Sequence, residues 1–388
     1  MTKRSSSRRK SSQSPRQVVL GLLALVAAVV VIGFVFGWDA AGQYLGEALG
    51  LDIGAPVSRE VTSGTGTFTV YFTDPVIPFD DVTEGGIETH LIDLINSAQS
   101  SIDVAVFEFN LQNVADALIA AHNRGVAVRM VYDDEHTEDD PQMEEVIAAG
   151  IPATPDQRGA FMHNKFFVFD RQLVWTGSWN VTINGSYRNN NNAIVIRSSK
   201  LAQNYTAEFE EMFSGEFGPS SPANTPNPVF TLNDIQIENY FAPEDNVTPH
   251  IVDAIRSATS TIHFMAFAFT DDDVGGAMLD RLQSGVSVAG IFEVRGADTE
   301  FSECGALLAA GADVRLDGNP RTFHHKVIIV DGRLLIVGSF NFSQNATTSN
   351  DENLLIIHDP GIAGLYEEEF NRRIAEAQTP VGGVCQTD

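Results

Sequence analysis

The chain repeats itself, and the repeat restricts what it can fold into. Residues 91–109 read Leu-Ile-Asp-Leu-Ile-Asn-Ser-Ala-Gln-Ser-Ser-Ile-Asp-Val-Ala-Val-Phe-Glu-Phe. Residues 251–269 read Ile-Val-Asp-Ala-Ile-Arg-Ser-Ala-Thr-Ser-Thr-Ile-His-Phe-Met-Ala-Phe-Ala-Phe, at an offset of 160 residues. Each copy carries a helical apolar spacing, a short polar turn, and an apolar run of strand length. Helical patterns follow at 114–121 and 274–282, then Arg-Gly-Val or Ser-Gly-Val and further strand patterns at 126–132 and 286–292. Helix alternating with strand predicts an α/β class with a mixed or largely parallel sheet in each half. A duplication of this length predicts two homologous lobes related by a pseudo-twofold, with a site where they meet.

The flanks divide as follows. Residues 1–17 carry Lys3, Arg4, Arg8, Arg9, Lys10 and Arg16 and no acid, and read as a basic cytoplasmic tail. Residues 18–38 hold no charge, enough to cross a hydrocarbon core of roughly 30 Å as a helix. The basic flank keeps the N-terminus inside, so a single-pass anchor with the body on the extracytoplasmic side is expected. A cleaved signal peptide is the alternative and would leave the body secreted, but its apolar region usually runs to only about 7–15 residues. Residues 39–66 read as a stalk, 67–214 as the first lobe, 215–234 as a linker, 235–376 as the second lobe and 377–388 as a tail. The stretch 215–228 is too rich in Pro, Gly, Ser and Asn for a regular element.

Charge narrows the partners. The formal net charge is −27 although the first seventeen residues are basic, so the body repels polyanions at long range. That disfavours non-specific nucleic-acid binding without excluding a small basic pocket. The two cysteines, Cys304 and Cys385, are too few for a metal cluster. One disulfide tying down the tail and two free thiols both remain open.

The chemistry lies in a second duplication. His163-Asn-Lys165, four residues, Asp170, six residues and Gly177-Ser178-Trp179-Asn180 recur as His324-His-Lys326, Asp331 and Gly338-Ser339-Phe340-Asn341, with identical internal spacing and an offset of 161 residues. Alternate residues of an extended segment share a side, so His163 faces the way Lys165 does and His324 the way Lys326 does, while Asn164 and His325 point away. Two imidazoles and two ammonium groups around one pocket suit a phosphodiester. One neutral His attacks phosphorus, the other serves as general acid and base, and Lys165, Lys326, Asn180 and Asn341 hold the non-bridging oxygens. The lysines supply positive charge, so no metal and no cofactor is expected. Asp170 and Asp331, at strand ends, are expected to hold turns or lysines. Ser178 and Ser339 are divided between turn formation and hydrogen bonding in the site.

The duplicated pattern resembles the phospholipase D superfamily over roughly residues 67–376. The resemblance implies two mixed-sheet lobes flanked by helices, a phosphohistidine intermediate and no metal cofactor. It places the nucleophile at His163 and the general acid/base at His324. It also implies a carboxylate further along each half that orients the motif His. That position is Glu352 in the second half and Asn191 in the first, so Glu352 is expected to serve His324 and Asn191 to serve His163, each within its own half.

The functional expectation is a phospholipase D-type enzyme that hydrolyses a phospholipid head-group ester or transfers the phosphatidyl group, as a monomeric catalytic unit. An exported metal-independent nuclease is the rival, since Gly-Ser-x-Asn followed two residues on by Thr182 or Ser343 resembles that branch. A silent envelope scaffold is the alternative of another class. Substrate selectivity is expected from the loops 133–142 and 296–303. His263 reads as a satisfied strand residue, and His90, His122, His136, His250 and His358 have no motif around them.

Overall fold

A computed structural model describes residues 58–62, 67–77, 79 and 81–387. The expected tail and membrane span at 1–38 lie outside the described residues, and no helix among the described residues is long and apolar enough to cross a membrane. Residues 56–388 form one compact unit.

Two eight-stranded sheets build that unit, and they repeat one topology. In the first sheet the order is β1 (Ser58–Thr62), β2 (Phe68–Thr73), β8 (Asn192–Arg197), β7 (Leu173–Gly177), β6 (Phe166–Phe169), β3 (Ser101–Val106), β4 (Ala127–Tyr132) and β5 (Ala153–Pro155). The second runs β9 (Val229–Leu232), β10 (Ile235–Ala242), β16 (Glu352–His358), β15 (Leu334–Gly338), β14 (Lys326–Val330), β11 (Thr261–Ala266), β12 (Ser287–Phe292) and β13 (Asp313–Leu316). The β3–β4–β5 and β11–β12–β13 pairings are parallel and the rest antiparallel, so both sheets are mixed.

The helices α1 (Glu88–Ser97) and α2 (Gln112–Asn123) in the first lobe answer to α7 (Val247–Arg256) and α8 (Asp272–Gln283) in the second. They cover the outer face of each sheet through Leu91, Ile95, Val114 and Leu118, and through Ile251, Ile255, Val274 and Met278. Between the sheets lie α6 (Ser199–Phe213) and α11 (Pro360–Glu376). Ser198 caps the first by accepting from the Leu201 N–H, and Asp359 caps the second by accepting from the Ile362 N–H, with Pro360 at the first turn.

Strand alternation decides which core each residue joins. Phe166 and Val168 of β6 pack with Val327 and Ile329 of β14 in a core shared by both lobes, together with Tyr205, Phe209, Tyr366 and Phe370 from the two inner helices. Phe167 and Phe169 face the first lobe's own outer core, and Ile328 and Val330 the second's. Each such side chain contributes about 1.5–3 kcal/mol on burial. Opening the seam would therefore cost as much as a domain's whole stability of about 5–15 kcal/mol, and the lobes act as one body.

Two stretches read as connectors carry edge strands. The stretch read as a stalk contains β1, paired antiparallel to β2, because Ser58–Thr62 completes the open edge of the sheet. The stretch read as a linker contains β9, which does the same for the second sheet. The tail is fastened by a disulfide between Cys304 and Cys385 and by backbone bonds between Leu316 and Gln378.

Candidate active site

Each His-x-Lys segment is an extended approach to a central strand, ending where β6 or β14 begins. Ahead of each His the approach pairs across the seam. Met162 bridges to Asp351 and Phe323 bridges to Asn190, so each catalytic segment is held by the opposite lobe. The His163 N–H donates to the Asp351 carbonyl at 3.0 Å, and the His324 N–H donates to the Asn190 carbonyl at 2.9 Å. On its other side each approach is held by an acid at the end of the neighbouring parallel strand. Asp133 accepts from the Met162 N–H at 3.1 Å, and Glu293 accepts from the Phe323 N–H at 2.6 Å.

This exchange of backbone bonds places the orienting residues across the seam. His163 Nδ1 lies 2.7 Å from Glu352 Oε2, and His324 Nδ1 lies 2.9 Å from Asn191 Oδ1. The expectation that Glu352 serves His324 and Asn191 serves His163 is therefore corrected. Glu352 and Asn191 each follow directly on the residue that bridges to the other lobe, so their side chains project beside that lobe's histidine. Behind them stand the motif serines. Ser339 Oγ donates to Glu352 Oε2 at 2.7 Å, and Ser178 Oγ donates to Asn191 Oδ1 at 3.0 Å. Each serine also accepts a backbone N–H, from Asn353 or Asn192, at 3.0 Å. The close approach requires the preceding glycines: a Cβ at Gly177 would stand 2.4 Å from the Asn192 carbonyl oxygen, and one at Gly338 2.2 Å from that of Asn353.

The lysines converge with the histidines. Lys165 Nζ donates to the His163 carbonyl at 2.8 Å and Lys326 Nζ to the His324 carbonyl at 3.0 Å. Phe107 turns its edge to His163 and its face to Lys165, at 4.7 Å in each case. Phe267 does the same for His324 and Lys326, at 4.8 Å. All four motif side chains are buried. Burial, with the charges of Lys165 and Lys326 adding, pushes the His163 imidazole well below its ordinary value, and burial with the same two lysines does so for His324. Burial pushes Lys165 down to about 7 against the opposing charge of Glu352, and pushes Glu352 up to about 8 against that of Lys165. Lys326 is pushed well below its ordinary value by burial and by Lys165. The lysine charges thus disfavour protonation of both imidazoles, and an anion between them would relieve this.

The remaining motif residues divide. Asn180 donates to Glu108, and the side-chain oxygens of Asn180 and Asn341 are buried without a partner. Asp170 and Asp331 lie away from the site and hold turns rather than lysines. Asp170 accepts from the N–H groups of Gln99, Ser100 and Ser101, and Asp331 from those of Thr259, Ser260 and Thr261. Thr182 and Ser343 cap short helices, accepting from Gly185 and Ala346. His263 is satisfied by Glu367 at 2.7 Å and stacks on Phe370.

Between the lobes a cavity of about 310 Å³ is lined on one side by Glu108, His136 and Asp140 and on the other by Arg295 and Arg321, and the His136 ring meets Phe107 and Phe161, which pack beside His163. The loop 133–142 thus reaches the mouth. The loop 296–303 does not line it; Glu300 and Phe301 line a separate cavity with Asp271, Asp272 and Asp273. Sequence reasoning missed Phe107, Phe267, Asp133, Glu293 and His136. The first four had a signal, since each pair sits at the repeat offset of 160 residues with the same chemistry in both copies. His136, Arg295 and Arg321 had none, because nothing in the first copy foretells the loops of the second.

A family profile described as "Cardiolipin synthase, PLD-like domain" matches residues 91–213 and again 251–374. The chain is similar to a mitochondrial cardiolipin hydrolase of Chlamydomonas reinhardtii, 36% identical over 121 residues, which are 31% of this chain and 54% of that protein. It is also similar to a phospholipase D of Rickettsia bellii, 31% identical over 147 residues, 38% of this chain and 73% of that one. The chain thus spans about half the length of the algal relative. The solved phosphatidylserine synthase of Haemophilus influenzae Rd KW20 superposes with a TM-score of 0.60 at 14% identity, over 83% of this chain and 89% of that one, which shows a common fold. With both copies of the profile matched over more than half of its residues, the chain belongs to the phospholipase D superfamily.

Proposed function

We propose that the protein is a phosphodiesterase that cleaves phospholipid head-group esters through a covalent phosphohistidine on His163. The observation that supports it is the crossed pair of imidazoles, one backed by a carboxylate and the other by an amide. Glu352 takes the Nδ1–H of His163 and leaves the Nε2 lone pair free to attack phosphorus. The carboxylate then stabilises the positive charge that the ring acquires. The P–O bond to the leaving alcohol breaks, and His324, neutral in the free site but protonated once the bound phosphate offsets the charges of Lys165 and Lys326, gives its proton to the leaving oxygen. Asn191 offers His324 no counter-charge, which makes its imidazolium the stronger acid. In the second half His324 takes a proton from water, the water oxygen attacks phosphorus, and the P–N bond to His163 breaks. An alcohol in place of water gives transfer. Lys165, Lys326, Asn180 and Asn341 surround the phosphoryl oxygens and the charge developing on them.

A lipid substrate is supported by the acidic body, which repels nucleic acid at long range, and by the names of the relatives. The apolar run at 18–38 would anchor the site at a membrane with the body on the extracytoplasmic side. Both halves of the site come from one chain, which supports a monomeric catalytic unit.

The test is to offer the protein vesicles of phosphatidylcholine, phosphatidylglycerol or cardiolipin, and separately single- and double-stranded DNA. Head-group release is expected, falling by at least about 10³-fold in His163→Ala and in His324→Ala. Cleavage of DNA without lipid turnover would transfer the reading to a nuclease, and activity surviving in both variants would remove the mechanism.

A further inference from the structure

Three carboxylates meet in the seam between the lobes. Glu208 and Glu211 lie one turn apart on α6, and Glu244 follows β10 in the other lobe; ligand oxygens of the three lie within 4.8 Å of one another. Glu208 is 4% exposed and Glu211 8%. The charges that act most strongly on each are acidic: Glu244, Asp351 and Glu211 on Glu208, Glu216, Asp245 and Asp351 on Glu211, and Asp245 and Asp351 on Glu244. Arg158 is engaged by an ion pair with Asp351. Buried carboxylates without a basic partner must either hold protons or bind a cation.

Glu211 points to the second course. Its Oε2 is fully buried and has no hydrogen-bond partner. An orphaned carboxylate oxygen beside two further carboxylates has a hard cation as its natural complement. Carboxylate oxygens this close together can share one cation with little side-chain movement, and a flexible shell of carboxylates completed by water suits calcium. Glu244 is only half-buried, which leaves a path for the ion and for the water that fills its shell.

We propose that Glu208, Glu211 and Glu244 form a calcium site that braces the two lobes. The ion joins two carboxylates of the first lobe to one of the second, directly behind the catalytic motif. Glu208 Oε1 also accepts from Asn164 at 2.9 Å, and Asn164 Oδ1 accepts from Asn353 at 2.9 Å, so the braced acid holds the residue between His163 and Lys165 and, through it, the neighbour of Glu352. The site rests on the carboxylates alone and is independent of the catalytic reading.

The test uses the full chain, stripped with EDTA and dialysed at about pH 8. Calcium chloride is titrated by calorimetry, and melting temperature is followed in parallel. One ion per chain and a raised melting temperature are expected. Glu211→Gln and Glu244→Gln should each weaken binding at least about tenfold and abolish the thermal response. Both amide variants should melt no lower than the metal-free wild type, because a neutral side chain replaces a buried acid. Absence of calcium binding to the wild type, or unchanged affinity in both variants, overturns the proposal.

Discussion

Of the two imidazoles at this site only that of His163 is backed by a carboxylate, while that of His324 is backed by an amide, and this differentiates them. Glu352→Gln keeps an acceptor for His163 but removes the charge that steadies the ring as it takes on phosphorus. Turnover should fall by about 10²–10⁴-fold, whereas Asn191→Ala, which removes only an amide from His324, should cost less. Equal losses in the two variants would mean that the histidines are interchangeable. The lysines set the pH response. Burial holds Lys165 near 7 in the free protein, so kcat/KM should decline as pH rises through about 7 while kcat holds to higher pH, because bound phosphate restores the proton. A kcat/KM that stays level from about pH 6 to about 9 would show that the free site keeps its charge without substrate.

At the scale of elements, the motif aspartates fasten strands. Burial alone would raise Asp331, but the donors of Thr259, Ser260 and Thr261 outweigh it and hold the carboxyl well below its usual range. Its folded value therefore lies under the unfolded value of about 3.9, so its contribution to stability is present above about pH 4 and is lost as pH falls. Asp331→Asn should destabilise by about 1–2 kcal/mol at neutral pH with turnover retained. Denaturant titrations should show the gap from wild type closing below about pH 4; a gap independent of pH would assign the effect to shape rather than charge. The middle residue of each His-x-Lys works at the same scale. Asn164 bonds to Glu208 and Asn353, and His325 bonds to Asn192 at 2.9 Å, so the residues that turn away from the site sew α6 and the strands β8 and β16 across the seam.

Across the whole molecule, covalent and packed links finish what the repeat begins. The Cys304–Cys385 bond joins α9 (Glu303–Ala310) to the C-terminal tail over 81 residues, within the second lobe's outer core. Cys385→Ser should lower stability by about 2–4 kcal/mol and leave turnover of the folded protein unchanged. Melting curves with and without reductant check this, and coincident curves for the wild type would show that the bond adds nothing.

The sequence by itself determined the two lobes, the strand that follows each motif, and the shared facing of each His with its Lys. Those follow from periodicity along one segment, which a single chain displays. Two further features depended on the tertiary structure: Glu352 reaches His163 rather than His324, and Arg295 and Arg321 close the mouth opposite Glu108 and Asp140. The repeat specifies what each lobe contains, but the partner of a side chain at the seam is set by which backbone bridges form between lobes. The bridges Met162–Asp351 and Asn190–Phe323 join residues 189 and 133 positions apart, a separation at which no local spacing carries information.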